Sequence, residues 1–240
     1  MGVGFFNYGG VIDTGNGDDI ITGISEYMGI LADGTINTGK GNDSISSQGT
    51  YQNVGRVFLG DGNDSIIVYI ANTGGLQNAS GVVEDGGIID TGGGNDIIIS
   101  DEILNAGVIN TGKGDDSIIS NRGVIYNYGN YGGSINTGDG NDSIIADYGF
   151  ESDDKNGSVF LGNGNDYLKG SGNGDFYGGN GNDTLELTPG SYTVGTWDTS
   201  VTFAKNNAGL MITSEFEKLI AGSTTYDFTS LNAGQIIIVA

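Results

Sequence analysis

The sequence predicts an all-β chain: a right-handed parallel β-solenoid over residues 5–187, closed by a β-rich C-terminal cap over residues 188–240. Three observations predict it. A twelve-residue frame recurs seven times, starting at Gly10, Gly34, Gly55, Gly87, Gly107, Gly133 and Gly157. Hydrophobic residues make up only 36% of the 240, too few for one compact core but enough for the thin apolar stripe that each coil of a repeat structure buries against its neighbours. Glycine occurs 47 times and proline once, which fits repeated tight turns and excludes collagen, where glycine would fall at every third position throughout.

The clearest copy of the frame is residues 133–144: Gly, any residue, Ile, Asn, then Thr-Gly-Asp-Gly-Asn-Asp, then Ser-Ile. Its two inner glycines, Gly138 and Gly140, permit positive φ, so the backbone can curl tightly and turn carbonyl oxygens towards one point, where Asp142 adds a carboxylate. An aliphatic residue precedes each turn (Ile12, Ile36, Val57, Ile89, Ile109, Ile135, Val159) and another follows it (Ile21, Ile45, Ile66, Ile98, Ile118, Ile144, Leu168). Polar residues flank both, so each arm reads as a short strand with one side chain pointing inward.

The closing Asp falls at positions 19, 43, 64, 96, 116, 142 and 166. The intervals are unequal, so one edge of the solenoid is expected to be fixed and the return segments free to vary. Glycine-aliphatic echoes at Gly29-Ile30, Gly81-Val82-Val83 and Gly123-Val124-Ile125 predict an extra short strand on the longer coils. After Leu161 the turns close up: Asp166, Asp175 and Asp183 follow without spacers, which places residues 178–183 beneath residues 161–166 and Asp175 on the opposite edge. Beyond Pro189 the pattern gives way to alternating strands at 192–197, 200–204 and 209–213, with a hairpin turn at 205–208, then to 216–222, 224–228 and a terminal apolar run at 235–240.

Residues 178–186, GGNGNDTLE, match the nonapeptide GGxGxDxUx of the RTX (repeats-in-toxin) calcium-binding proteins, in which U is a large apolar residue. The earlier turns resemble the same repeat with Thr or Leu in place of the first glycine. The resemblance implies a β-roll in which loop carbonyls and the sixth-position Asp bind Ca2+ between stacked loops. Carried onto this chain, it implicates Thr14, Gly15, Asn16, Gly17 and Asp19, then Thr38, Gly39, Lys40, Gly41 and Asp43, then Leu59, Gly60, Asp61, Gly62 and Asp64. Further along it implicates Thr91, Gly92, Gly93, Gly94 and Asp96, then Thr111, Gly112, Lys113, Gly114 and Asp116, then Thr137, Gly138, Asp139, Gly140 and Asp142. The last set is Leu161, Gly162, Asn163, Gly164 and Asp166, the lone Asp175, and Gly178, Gly179, Asn180, Gly181 and Asp183. About seven ions in one row are expected, with half a site at Asp175. RTX rolls usually carry the motif on both edges; with one motif per long coil, this chain is closer to the RTX solenoids of bacterial ice-binding adhesins. The family also implies a secreted or cell-surface protein that leaves by a type I exporter reading an uncleaved C-terminal signal, with a cell-surface or polysaccharide partner. Two roles follow: a structural, adhesive or secretion-associated module, or an accessory module of a secreted enzyme.

Composition narrows the alternatives. The net charge of −22, from 30 acidic residues against 8 basic ones, excludes nucleic acid as a partner and calls for cations. No cysteine or histidine is present, which removes the usual ligands of zinc, copper and iron and most nucleophile-base pairs. Glu26, Glu84, Glu102, Glu151, Asp153 and Asp154 lie in the returns and read as solvation, so no enzyme activity is expected. Tyr8, Tyr126, Tyr128 and Tyr131 read as packing over coil edges. Ice binding needs a regular outward array of threonines; the first-position threonines are interrupted by Leu59 and Leu161, and the third position is irregular and charged. No apolar run reaches the roughly 18 residues of a membrane span.

Overall fold

The computed structural model describes residues 4–69, 75–78, 86–127, 133–152, 157–205 and 209–240, with backbone alone for 25–28. The predicted echo at residues 81–83, the hairpin tip at 206–208, and Glu84, Tyr128, Tyr131, Asp153 and Asp154 lie outside these. The chain is all-β, built on two sheets of parallel strands, one of fifteen strands and one of twelve, that continue into the cap.

Each coil is built from the frame outward. The residues before the turn form a strand of the twelve-stranded sheet, for example Ser134–Asp139, and those after it, such as Ser143–Ala146, belong to the fifteen-stranded sheet. At the frame positions successive coils pair in parallel and in register, Ile109↔Ile135↔Val159 on one side and Ile118↔Ile144↔Leu168 on the other, and the register shifts in the return between Ile24 and Ile30. Ile36 through Val159 in the first column and Ile45 through Leu168 in the second are thereby buried, as the sequence predicts.

The returns are less free than expected. A third strand occurs even on a short coil, at Ile103–Asn105, and the same three-residue unit recurs at Leu76–Asn78 and Ile125–Asn127. It stacks Ile30, Tyr51, Leu76, Ile103, Ile125 and Phe150 into a third buried column. The third strand is therefore a standard part of the coil and not an addition to the longer ones. Gly172, in the 17-residue last coil, bridges to Phe150 where that strand would lie.

The third strands that end at Asn53, Asn78, Asn105 and Asn127 close on buried asparagines, and these form a ladder. Asn53 Nδ2 donates to Asn78 Oδ1 at 2.9 Å, Asn78 to Asn105 at 2.8 Å, and Asn105 to Asn127 at 2.8 Å. Their second N–H reaches the next face, as when Asn105 Nδ2 donates to Ser134 O at 3.0 Å. At Gly133 the ladder explains the glycine that opens the frame, since a Cβ there would lie 2.3 Å from Asn127 Oδ1 and 2.2 Å from Asn105 O; at Gly34, Gly55 and Gly107 a Cβ would meet backbone of the preceding coil. Ala32 occupies the equivalent position in an early coil and breaks the ladder there.

The C-terminal strands cap the stack. Gly209–Ser214 and Lys218–Ala221 pair in parallel with the two strands of the last coil. Ser200–Lys205, Gly190–Trp197, Ile236–Val239 and Thr224–Asp227 then continue both sheets antiparallel, so no further coil can stack on them. Tyr192, Phe203, Met211 and Leu219 fill the space beneath. The final strand buries Ile237 and Val239 and exposes Ile236 and Ile238.

Removing one rung tests the buried ladder. Asn78→Ala strands an N–H of Asn53, removes the bonds to Gly87 O and Val108 O and leaves Asn105 Oδ1 with Gly107 N alone, and urea unfolding is expected to show a loss of about 2–4 kcal/mol. Asn136→Ala, in an exposed asparagine row, is expected to stay within about 0.5 kcal/mol. Equal effects would contradict this account.

Candidate metal centre

The six-residue loops stack in register along one edge. Gly162↔Gly179 and Asn163↔Asn180 place residues 178–183 under residues 161–166, as the sequence predicts. The glycines are required here. Gly138 and Gly140 have φ of 101° and 147°, and a Cβ on Gly140 would sit 1.8 Å from the Gly114 carbonyl oxygen of the adjacent coil.

The sixth-position aspartates form a single row along the stack. Asp19 N donates to Asp43 Oδ1 at 2.8 Å, and the same bond joins Asp43 to Asp64, Asp64 to Asp96, Asp96 to Asp116, Asp116 to Asp142, Asp142 to Asp166 and Asp166 to Asp183, all within 2.7–2.9 Å. From Asp43 to Asp183, one carboxylate oxygen of each residue thus holds the preceding coil. The other oxygen, Oδ2, is buried and without a hydrogen-bond partner in all eight. Asp175 stands apart, paired in register with Ser158 on the opposite edge.

The remaining predicted residues divide by position. First-position Thr38, Thr91, Thr111 and Thr137 are buried, as are Leu59 and Leu161, so this column forms no outward threonine array. The Thr hydroxyls donate along the stack, for example Thr111 Oγ1 to Thr137 O at 3.1 Å. Several carbonyls assigned to ligation hold coil-to-coil hydrogen bonds: Asp139 N donates to Gly112 O at 2.9 Å, and Gly114 N to Asp139 O at 2.7 Å. Third-position Lys40, Asp61, Lys113, Asp139 and Asn163 point into solvent, where Lys40 pairs with Asp61 at 2.9 Å.

Two features of the row went unread in the sequence. The fifth-position residue forms a second, exposed row of opposite polarity, in which Asn63 N donates to Asn42 Oδ1 and Asn95 N to Asn63 Oδ1. The Asn-Asp pair therefore grips the coil above with one side chain and the coil below with the other. The row also runs on into the cap, where Asp183 N donates to Glu217 Oε2 at 2.7 Å. Its signal was available: Glu217-Lys218-Leu219 repeats Asp183-Thr184-Leu185, with Thr184 paired to Lys218. Glu215, two residues earlier, takes a positive φ of 62° where the loops use glycine.

Electrostatics make the row costly as it stands. Burial pushes Asp64 and Asp142 up to about 6 and Asp96 and Asp166 up to about 7, and it raises Asp116 and Asp183 as well. Adjacent coils lie ~4.8 Å apart. At an effective dielectric of about 20, two like charges at that distance repel by about 3 kcal/mol, so the row as a whole could outweigh a typical folding stability of about 5–15 kcal/mol. The ion pairs among the described residues, of Lys40, Arg122 and Lys169, all lie off the row. The row must take up protons or cations. Its donors are oxygen alone, which suits a hard divalent cation. Among the described residues no three acidic side chains converge, so an ion here would draw on carboxylates of adjacent coils, with carbonyl, hydroxyl or water oxygens completing its shell.

No protein-family model matches the chain, and no curated protein matches it in sequence.

The sign of the pH dependence follows from the raised values. Between the unfolded value near 3.9 and the folded values of about 6–7, the cation-free fold holds more protons than the unfolded chain, so its stability falls as pH rises through that window. Denaturation in chelator is expected to show a more stable protein at pH 5 than at pH 8. The opposite order would contradict a buried, uncompensated row.

Proposed function

We propose that this protein is a calcium-binding β-solenoid of the RTX type, a secreted structural or adhesive module whose fold depends on the ion. The observation that carries the reading is the row of eight aspartates, each with one buried oxygen unpartnered. A calcium ion takes 6 to 8 oxygens and tolerates irregular geometry, so it can use the buried Oδ2 atoms, three of which lie on aspartates flanked by the first-position hydroxyls of Thr91, Thr111 and Thr137. Bound there, it supplies positive charge and no reaction chemistry.

The chain's own residues do the rest. The Asn-Asp pairs hold successive loops in register, the glycines let the backbones approach, and the isoleucine columns fix the coil spacing. Seven divalent ions would change the net charge from −22 to about −8, a value that a soluble domain tolerates. Because the sites exist only between stacked coils, binding free energy adds directly to folding free energy. Extracellular calcium modules have dissociation constants on the order of 10⁻⁴–10⁻³ M, so the chain would stay unfolded in a calcium-poor cytosol and fold outside the cell. The type I exporter assigned by the family resemblance would then carry an unfolded chain.

Circular dichroism during a calcium titration tests this. A disordered spectrum in chelator and a cooperative change to a β spectrum at millimolar calcium are expected, with little rescue by equimolar magnesium; a full β spectrum after exhaustive chelation at pH 8 would sink the reading. Asp142→Asn gives a second check, since it keeps an oxygen for Asp116 N–H and removes the charge. It should stabilise the chelated protein at pH 8 and yet shift the calcium midpoint to higher concentration, whereas for a purely structural aspartate the same stabilisation would shift the midpoint to lower concentration, because binding and folding are linked.

A further inference from the structure

The outer face of the twelve-stranded sheet carries a trough that the aspartate row does not use. Asp90, Asn110 and Asn136 project from the same frame position of three adjacent coils. They form an outward row: Asn110 Nδ2 donates to Asp90 Oδ1 at 3.1 Å, and Asn136 Nδ2 to Asn110 Oδ1 at 3.3 Å. Each amide uses one N–H in the row, so a second N–H on each remains for a ligand, as does the other carboxylate oxygen of Asp90.

Aromatic rings bound this row at both ends. Phe58 occupies the equivalent position one coil before Asp90, and Phe160 one coil after Asn136. Phe160 is 39% exposed and stacks on Tyr177, with ring centroids 4.8 Å apart and planes 8° from parallel. Beside the row, Gly93 takes the loop position that bears Asp61 and Lys113 on its neighbours, and nothing lies within 4 Å of where its Cβ would be. The absent side chain opens a trough of about 680 Å³. A second depression shares Asp90, Asn110 and Asn136 with it and extends over Ile88 and Val108 to Phe160.

We propose that this trough binds a neutral, extended polysaccharide lying along the solenoid axis between Phe58 and Phe160. Hydroxyl groups at regular intervals match a row of amide and carboxylate groups that repeats once per coil. The C–H faces of sugar rings match the aromatic end walls and the Ile88–Val108 stripe. An acidic glycan is disfavoured by charge, because Asp61, Asp90 and Asp139 face Lys113 alone among the charged lining residues. A peptide adding as a strand is disfavoured too, since the strands beneath the trough are already paired on both sides. The inference does not depend on which ion fills the aspartate row.

Isothermal titration of the full chain tests it, in a buffer where circular dichroism shows the β fold, with cellohexaose and xylohexaose as neutral probes and hexagalacturonate as the acidic one. At least one neutral hexamer is expected to bind. Phe160→Ala and Asn110→Ala should each weaken it roughly tenfold while leaving the β spectrum in place, and Asn110→Ala should also leave the unfolding midpoint in place. Tyr69→Ala, which removes an exposed aromatic ring from the other sheet, should leave affinity unchanged. Absence of binding by both neutral hexamers, binding of hexagalacturonate alone, or neutral-hexamer affinity untouched by both trough variants would overturn the proposal.

Discussion

Stacking in register is the constraint on which this structure depends: every side chain in a coil lies against the side chain at the same frame position in the next coil, ~4.8 Å away. A residue type is therefore selected for how it interacts with itself. Isoleucine passes that test through burial and dispersion, and it fills columns on two faces. Asparagine passes it because its amide donates to and accepts from its own kind, as the buried ladder from Asn53 to Asn127 shows. Glycine passes where a carbonyl of the adjacent coil occupies the space of a Cβ.

Aspartate fails the same test, and for that reason the aspartate row stands out as a candidate site. An ionised carboxylate accepts hydrogen bonds but cannot donate to its neighbour. From Asp43 to Asp183 the chain satisfies one oxygen of each aspartate from a backbone N–H and leaves the other buried without a partner. An asparagine there would close a third ladder at no electrostatic cost, yet the fifth position, one residue earlier and open to solvent, is where the chain uses asparagine freely. Charge at every buried position, with amides at most of the exposed ones and aspartate there only at Asp18 and Asp115, is the reverse of what solvation alone would favour.

The two ends of the stack differ. At the C-terminal end the parallel strands meet an antiparallel meander, Glu217 continues the carboxylate row into the cap, and the buried aromatic residues cover the last coil. The first described coil instead exposes Val11, Ile20 and Tyr8, and Phe6 stacks on Tyr8. Stacking continues only while the next segment offers the same frame, so a change in strand direction terminates it cleanly.

The sequence by itself determined the fold class, the frame, two of the three apolar columns, and the single line of loops ending at residues 178–183. These were legible because a repeat of fixed frame writes each contact many times, and Ile135 predicts Ile109 and Val159. Only the tertiary structure decided what the returns do. Their lengths vary, so Ile103–Asn105 and Ile125–Asn127 fall at no constant spacing, and the buried asparagine ladder emerges only when the coils are wound on one another. Glu217 was hidden for a related reason, since the short turn before it lacks the glycines that mark every other copy. The stacking also decided that the aspartates keep one oxygen buried and unpartnered, because burial and hydrogen-bond partners belong to the space between coils and not to any one of them.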